Sequence, residues 1–261
     1  MKLTRIDLNS WILQIADQTI LIDPWLVDPL VFYGQPWLFS LCHTNPPAFT
    51  PATLPPIDLI LITQGLDDHC HKPTLEQLDR TIPAVASPTA TQVLKNLGYS
   101  SITSLSNWQE FNQNNLQIIA VPGAEIQPGQ IENGYLIKDL TNGETVYYEP
   151  HQSNLEVVEP RLGKIDVAIA PVVGQIFPFL GEIIMGPIAA LNFVQTLKPQ
   201  YIVPNALGDI QASGILPMFI RTVGSLEEFR DRLIASGLGT QLLTPTPGET
   251  IEISLTGLIP N

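Results

Sequence analysis

The run Thr63-Gln64-Gly65-Leu66-Asp67-Asp68-His69-Cys70-His71 holds the densest set of chemically active side chains in this 261-residue chain. A carboxylate beside an imidazole can ligate a divalent ion, move a proton near neutral pH, or simply fix a loop. Taken alone, an Asp-Asp-His cluster is more often a cap or a turn than a metal site. Its position raises the stakes. The preceding Asp58-Leu59-Ile60-Leu61-Ile62 is an apolar run that reads as a buried strand. The cluster is therefore delivered at a strand's end, where open sheets build their sites. Cys70 sits between the two histidines, and in an extended loop it points away from both. It reads as a buried, inert thiol.

The elements around this loop follow from pattern. Trp11–Ile15 and Thr19–Asp23 read as strands joined by a turn, and Asp23-Pro24 ends the second because proline cannot extend a ladder. From Val27 to Pro56 the chain is long, proline-rich and aromatic, the kind of loop that covers a site or moves. Pro73 opens a helix, and Pro88 to Leu97 forms another, stopped by Gly98. Gln117–Val121 reads as a strand. Gly134–Lys138 and Thr145–Tyr148 read as a hairpin across Thr141-Asn142-Gly143. Asp166–Ala170 is a fully apolar strand, Gly186–Leu197 a helix and Tyr201–Pro204 a strand. Ser225 with Glu228 fits a capping box ahead of a last helix, and Thr250–Ile253 is the final strand. Strands and helices interspersed along the whole length predict two sheets between helical layers, in one domain over residues 1–261.

Composition excludes several classes. With 44% hydrophobic and only 14% charged residues, the chain is globular. A net charge of -13 repels phosphate backbones and anionic headgroups, so nucleic acid is not an expected partner. Two cysteines, Cys42 and Cys70, make no disulfide framework and favour a reducing, cytoplasmic setting. The N-terminus has no apolar core of signal-peptide length. The most apolar stretch, Val167 to Val194, is broken by Gln175, Pro178, Gly181, Glu182 and Pro187, so no membrane span is expected.

Laid against the pattern His-x-His-x-Asp-His, the loop matches at Asp68 and His69, while Gln64 and Leu66 stand where the first two histidines would be. This and the order of elements resemble the metallo-β-lactamase superfamily, which implies a four-layer αββα sandwich of the α/β class. The combination of that loop with Glu132-Asn133-Gly134-Tyr135-Leu136, Tyr148-Glu149-Pro150-His151 and Gly208-Asp209 resembles a cyanobacterial and plant subfamily with a generic hydrolase label. The resemblance carries a third histidine to Val121–Glu125, which has none, a bridging carboxylate to Glu149, and a last histidine to the vicinity of Asn205. It thus implies that one metal position has lost its imidazoles while the other keeps Asp68, His69 and Glu149.

Those three would offer two oxygens and one nitrogen with open positions, a set suited to zinc, manganese or iron. Leu66 cannot ligate; Gln64 offers only an amide oxygen. His71 and His151 could ligate, shuttle protons, or fix a carboxylate; satisfied structural bonding is the plainer reading of His71. His43 reads as a surface residue. Asp209 caps a turn with Gly208 or faces the cleft, and Gln64, Asn205 and Asp209 are the candidate substrate contacts. Phe32 to Phe39 and Ile176 to Leu180 would wall a pocket for an apolar or aromatic molecule, or else form a dimer contact or ordinary packing. Trp25 and Trp37, flanking the long loop, would anchor it. Two functions compete. One is a metal-dependent hydrolase of small esters or lactones with a mononuclear site, using Asp68, His69, His71 and His151 catalytically. The other is a metal-free pseudoenzyme that binds a small ligand on the same fold.

Overall fold

The computed structural model describes residues 1–127, 130–178 and 180–255, without the side chains of residues 124–127, 130 and 131. The side chains of Ala124 and Glu125, at the expected third-histidine position, and Phe179 of the second apolar segment lie outside this description.

The central strand explains the architecture. In Leu59–Ile62 every residue is buried, but the alternation of a strand sends Leu59 and Leu61 into one core and Ile60 and Ile62 into another. Val167–Pro171 does the same, with Val167 and Ile169 on one side and Ala168 and Ala170 on the other. Strands buried on both faces read as continuous apolar runs and belong to covered, parallel sheet centres. Two seven-stranded sheets result. The first contains, in order, Thr250–Glu252, Lys2–Asp7, Ser10–Ile15, Gln18–Ile22, Leu59–Ile62, Ala84–Ala86 and Ile102–Ser104. The second runs Gln241–Leu242, Tyr201–Asn205, Val167–Pro171, Thr145–Tyr148, Gln130–Asp139, Leu116–Gln127 and Glu110–Gln113.

The sheets meet face to face over a shared core in which Trp11, Leu13, Ile20 and Leu61 of one pack with Ile118, Tyr135, Tyr148 and Val203 of the other. Helices Lys72–Leu75 and Pro88–Asn96 cover the outer face of the first sheet. Helices Leu155–Leu162, Pro187–Leu197 and Leu226–Ala235 cover the second. The expected αββα layering is the one observed. Ser225 caps the last helix as expected, its hydroxyl accepting from the Glu228 amide at 3.1 Å.

The long loop holds more order than its composition implies. Leu30–Val31 and Ser40–His43 pair with each other, and Ser40–His43 pairs with Ile210–Ser213 in a small separate sheet. The apolar segment Ile176 to Leu180 belongs to a hairpin, Gly174–Phe177 with Gly181–Ile184, joined by Arg221–Val223. These two small sheets carry the walls of the cavity described next. Among the described residues no helix is long and apolar enough to cross a membrane.

Candidate metal centre

Asp68, His69 and His151 converge. One ligand atom from each lies within 4.8 Å of the others. His69 Nε2 is 3.2 Å from Asp68 Oδ2 and 3.3 Å from His151 Nε2. Both imidazoles are buried, and the Asp68 side chain is 15% exposed. The loop after Leu59–Ile62 supplies Asp68 and His69. The segment after Thr145–Tyr148, in the opposite sheet, supplies His151. The site therefore straddles the rim of both sheets.

A residue absent from the sequence expectation orients the cluster. The Asp23 carboxylate accepts from Thr63 N at 2.8 Å, Thr63 Oγ1 at 2.6 Å and the Tyr148 hydroxyl at 3.1 Å. It also lies 2.8 Å from His69 Nδ1. An Asp can hold a ligand imidazole by one nitrogen and leave the other facing the ion, the usual support for a metal-binding histidine. Asp23 itself has φ of +40°, a left-handed backbone that a non-glycine residue rarely adopts. Its bonds hold it there. Such strain, about 1–3 kcal/mol, collects at functional sites. In the sequence the only trace of this role was an Asp-Pro at a strand's end.

Electrostatics agree with a cation position. Burial alone would pull His69 down, but the carboxylates of Asp68 and Asp23 override it and raise the imidazole well above its ordinary value. Burial opposes ionisation of Asp68, and the adjacent His69 outweighs that and holds the carboxyl low. Burial, helped by the charge on His69, pulls His151 down to about 3, so its ring is neutral and keeps a lone pair. Gln64 reaches His151 Nδ1 at 3.1 Å through its amide nitrogen, while its oxygen has no partner. Exchanging the two amide atoms places a proper acceptor on Nδ1–H, which leaves Nε2 directed at the cluster. Asp68 Oδ1 is likewise buried without a partner. An orphaned carboxylate oxygen beside two imidazole nitrogens fits a divalent ion of the zinc, manganese or iron kind.

The structure rearranges the expected ligand set. Glu149 was expected to hold the ion, but it does not belong to the converging group. Its carboxylate accepts from the Tyr147 hydroxyl at 2.8 Å and from His151 N at 3.3 Å, and burial pushes it up to about 8. The residue that converges with Asp68 and His69 is instead His151, two residues on. His71 is also elsewhere. Its Nδ1 meets Thr74 Oγ1 at 2.9 Å and its ring edge meets Trp25 at 6.5 Å, so a proton-shuttle role loses its geometry. His43 is not a surface residue. Its side chain is 2% exposed, stacked on Trp25 at 3.9 Å and 2.8 Å from Asp28. Trp25 is a buried anchor, whereas Trp37 is 61% exposed and anchors nothing through burial.

Of the expected substrate contacts, Gln64 lies against His151, behind the ligand cluster. Asn205 is committed inside the protein. Its Oδ1 accepts from Trp11 Nε1 at 2.8 Å and its Nδ2 donates to Asn9 Oδ1 at 3.2 Å. Asp209 is exposed and borders a different hollow with Asp7 and His43. The residue that Asn205 orients was missed by sequence reading. Asn9 turns its amide nitrogen to 3.2 Å from His69 Nε2 and 3.5 Å from Asp68 Oδ2.

Asn9, Asp68 and His151 form one end of a cavity of about 370 Å³. Phe32, Tyr33 and Phe39 of the long loop line it, as do Phe177, Pro178 and Leu180 of the hairpin. Both expected apolar segments therefore face the site.

A beta-lactamase superfamily domain model matches residues 2–206 of the sequence. The chain belongs to that superfamily. No curated protein matches the sequence. Among solved structures, an isothiocyanate hydrolase from Delia radicum gut bacteria superposes with a TM-score of 0.76 at 18% identity, over 97% of this chain and 99% of that one. A possible metal-dependent hydrolase from Veillonella parvula gives 0.77 at 18% identity with the same coverage. Igni18, a metallo hydrolase from Ignicoccus hospitalis, gives 0.71 at 19% identity, also over 97% and 99%. At these identities the likeness is one of fold. Within the beta-lactamase superfamily frame, the cluster at the rim of the two sheets is this chain's candidate centre.

Proposed function

We propose that this protein is a metal-dependent hydrolase with a mononuclear centre held by Asp68, His69 and His151, acting on small esters or lactones. The observation that carries the reading is the convergence of three donor atoms, one carboxylate oxygen still unpartnered, with Asp68 and His151 of that group lining one end of the cavity. The hydrolase names of the structural relatives are consistent with it. A divalent ion there would polarise a substrate carbonyl and lower the pKa of a bound water toward about 7. The chain's own groups do the rest. Asp23 fixes the His69 ring. The Asp68 oxygen not engaged with the ion would take a proton from attacking water. The Asn9 amide, held by Asn205, donates to the oxygen on which charge develops. The surrounding apolar walls exclude bulk water and strengthen each of these interactions.

A second reading keeps support from one observation. Asp23, His69 and Asp68 satisfy one another as a carboxylate–imidazole–carboxylate chain with no ion required. That arrangement suits a metal-free binding protein.

Elemental analysis of the purified protein, combined with turnover of an aryl-ester and lactone panel, separates the two. The hydrolase reading expects about one equivalent of transition metal, loss of turnover on chelation, and recovery when metal is returned. A protein that takes up no metal and hydrolyses nothing, yet stays folded, sinks it in favour of the binder.

A further inference from the structure

Every polar group lining the cavity is uncharged or anionic. Those groups are Asn9, Tyr33, Asp68, His151, Gln175 and Thr222. Among the described residues no Lys or Arg borders it. The nearest cation along the chain shows how this comes about. Arg221 stands between Ile220 and Thr222, both of which line the cavity, and strand alternation turns its side chain outward, where it is exposed. The other walls come from segments with no formal charge: residues 32–41, 173–180 and 210–220 hold neither acid nor base.

Charge at the floor follows the same rule. The carboxylates of Asp23 and Asp68 would together cancel one divalent ion bound by neutral imidazoles, and without the ion a proton on His69 offsets only one of them. Loaded, the centre has no net positive charge to hold an anion; unloaded, it is negative. The chain's net charge of -13 adds a repulsive field outside. An anion that entered would trade its hydration for a few neutral hydrogen-bond donors and no cationic side chain, and burying a charge without a counter-charge is strongly unfavourable. Size sets the other limit. A dry apolar cavity of about 150 Å³ admits benzene, so about 370 Å³ holds an aromatic ring or short alkyl chain together with the reacting group.

We propose that the site selects uncharged apolar electrophiles, an aryl or alkyl group bearing a neutral reactive carbon, and rejects the same skeleton once it carries a carboxylate or phosphate. The proposal rests on the reading of Asp68, His69 and His151 as the reactive centre, and it names the substrate class for that centre.

Phenylacetamide and phenylacetate match in shape and differ in charge, so they test it. Calorimetric titration of both is run on the zinc-loaded protein and again after chelation. The amide is expected to bind at least tenfold tighter than the acid in both states. In Leu180→Lys, which sets a cation on the 62%-exposed rim, the gap should close at least fivefold with zinc content unchanged. Equal or tighter binding of the acid in either state overturns the proposal, as does a gap untouched by L180K. A protein that takes up no zinc defeats the hydrolase reading instead, and leaves the amide-over-acid comparison in the chelated protein intact.

Discussion

Two clusters in this protein use the same ingredients and do different things. One joins His69 and His151 to Asp68. The other joins His71 and His43 to Asp28. In the first, the imidazole nitrogens come within 3.3 Å of each other at the end of a cavity, with a carboxylate alongside. In the second, both imidazoles rest on one indole, His43 stacked on Trp25 at 3.9 Å and His71 against its edge at 6.5 Å. Trp25 contacts both rings, and that pair forms no converging group. Composition does not separate the two clusters; the orientation of the donor atoms does. In the first cluster a carboxylate holds one nitrogen of the ring and leaves the other among further donor atoms, whereas in the second an aromatic platform receives the rings as a core contact.

Asp68→Ala should break the first cluster most completely. Metal content should fall to background and turnover by at least about 100-fold, since a ligand is lost outright where even a supporting partner is worth about 10–100-fold. Elemental analysis and initial rates report both. Asp23→Asn removes the support and keeps the ligands, so metal affinity should drop about 10–100-fold, read by competition with a chelator. An unchanged affinity would end the argument that Asp23 aims His69. His71→Gln tests the other cluster. It should cost about 1 kcal/mol of stability, or about 2–4 °C of thermal midpoint, and leave metal stoichiometry as in the wild type. Loss of metal in that variant would erase the contrast between the clusters. Glu149→Gln should do least. The amide oxygen can still accept from Tyr147 and the His151 backbone, so metal content should hold and the midpoint should move by no more than about 3 °C. A collapse in metal content would restore Glu149 as a ligand.

Much of the fold was legible because its central strands are apolar on both faces. Leu59–Ile62 and Val167–Pro171 announce covered sheets by composition alone, and Ser225 with Glu228 announces a helix start. The hairpin after Gly174 was not legible. An apolar run without alternation does not distinguish strand from loop, and its pairing partner Arg221–Val223 lies far along the chain.

In the candidate site, the proximity of Asp68 and His69 was readable because one short loop carries both. His151 and Glu149 were readable as a pair but not as alternatives. They sit two residues apart around Pro150, and only folding decides which side chain reaches the rim. Asp23, Asn9 and Asn205 act through hydrogen bonds that span large separations in sequence, such as Asn205 to Asn9, and no local pattern records them. An unusual backbone at Asp23 would have been the clue, and a sequence does not print φ.

The chamber's two outer walls are stitched together beside Gly214, where Ile215 N donates to Trp37 O at 3.1 Å and Leu216 N to Leu38 O at 2.9 Å. At φ of +101° a Cβ on Gly214 would stand 2.5 Å from the Leu38 carbonyl oxygen, so any side chain there forces the seam open. One missing methyl group thus lets the two strands of the wall lie this close. An alanine at this position must push the Leu38 carbonyl away and loosen the two bonds that follow it.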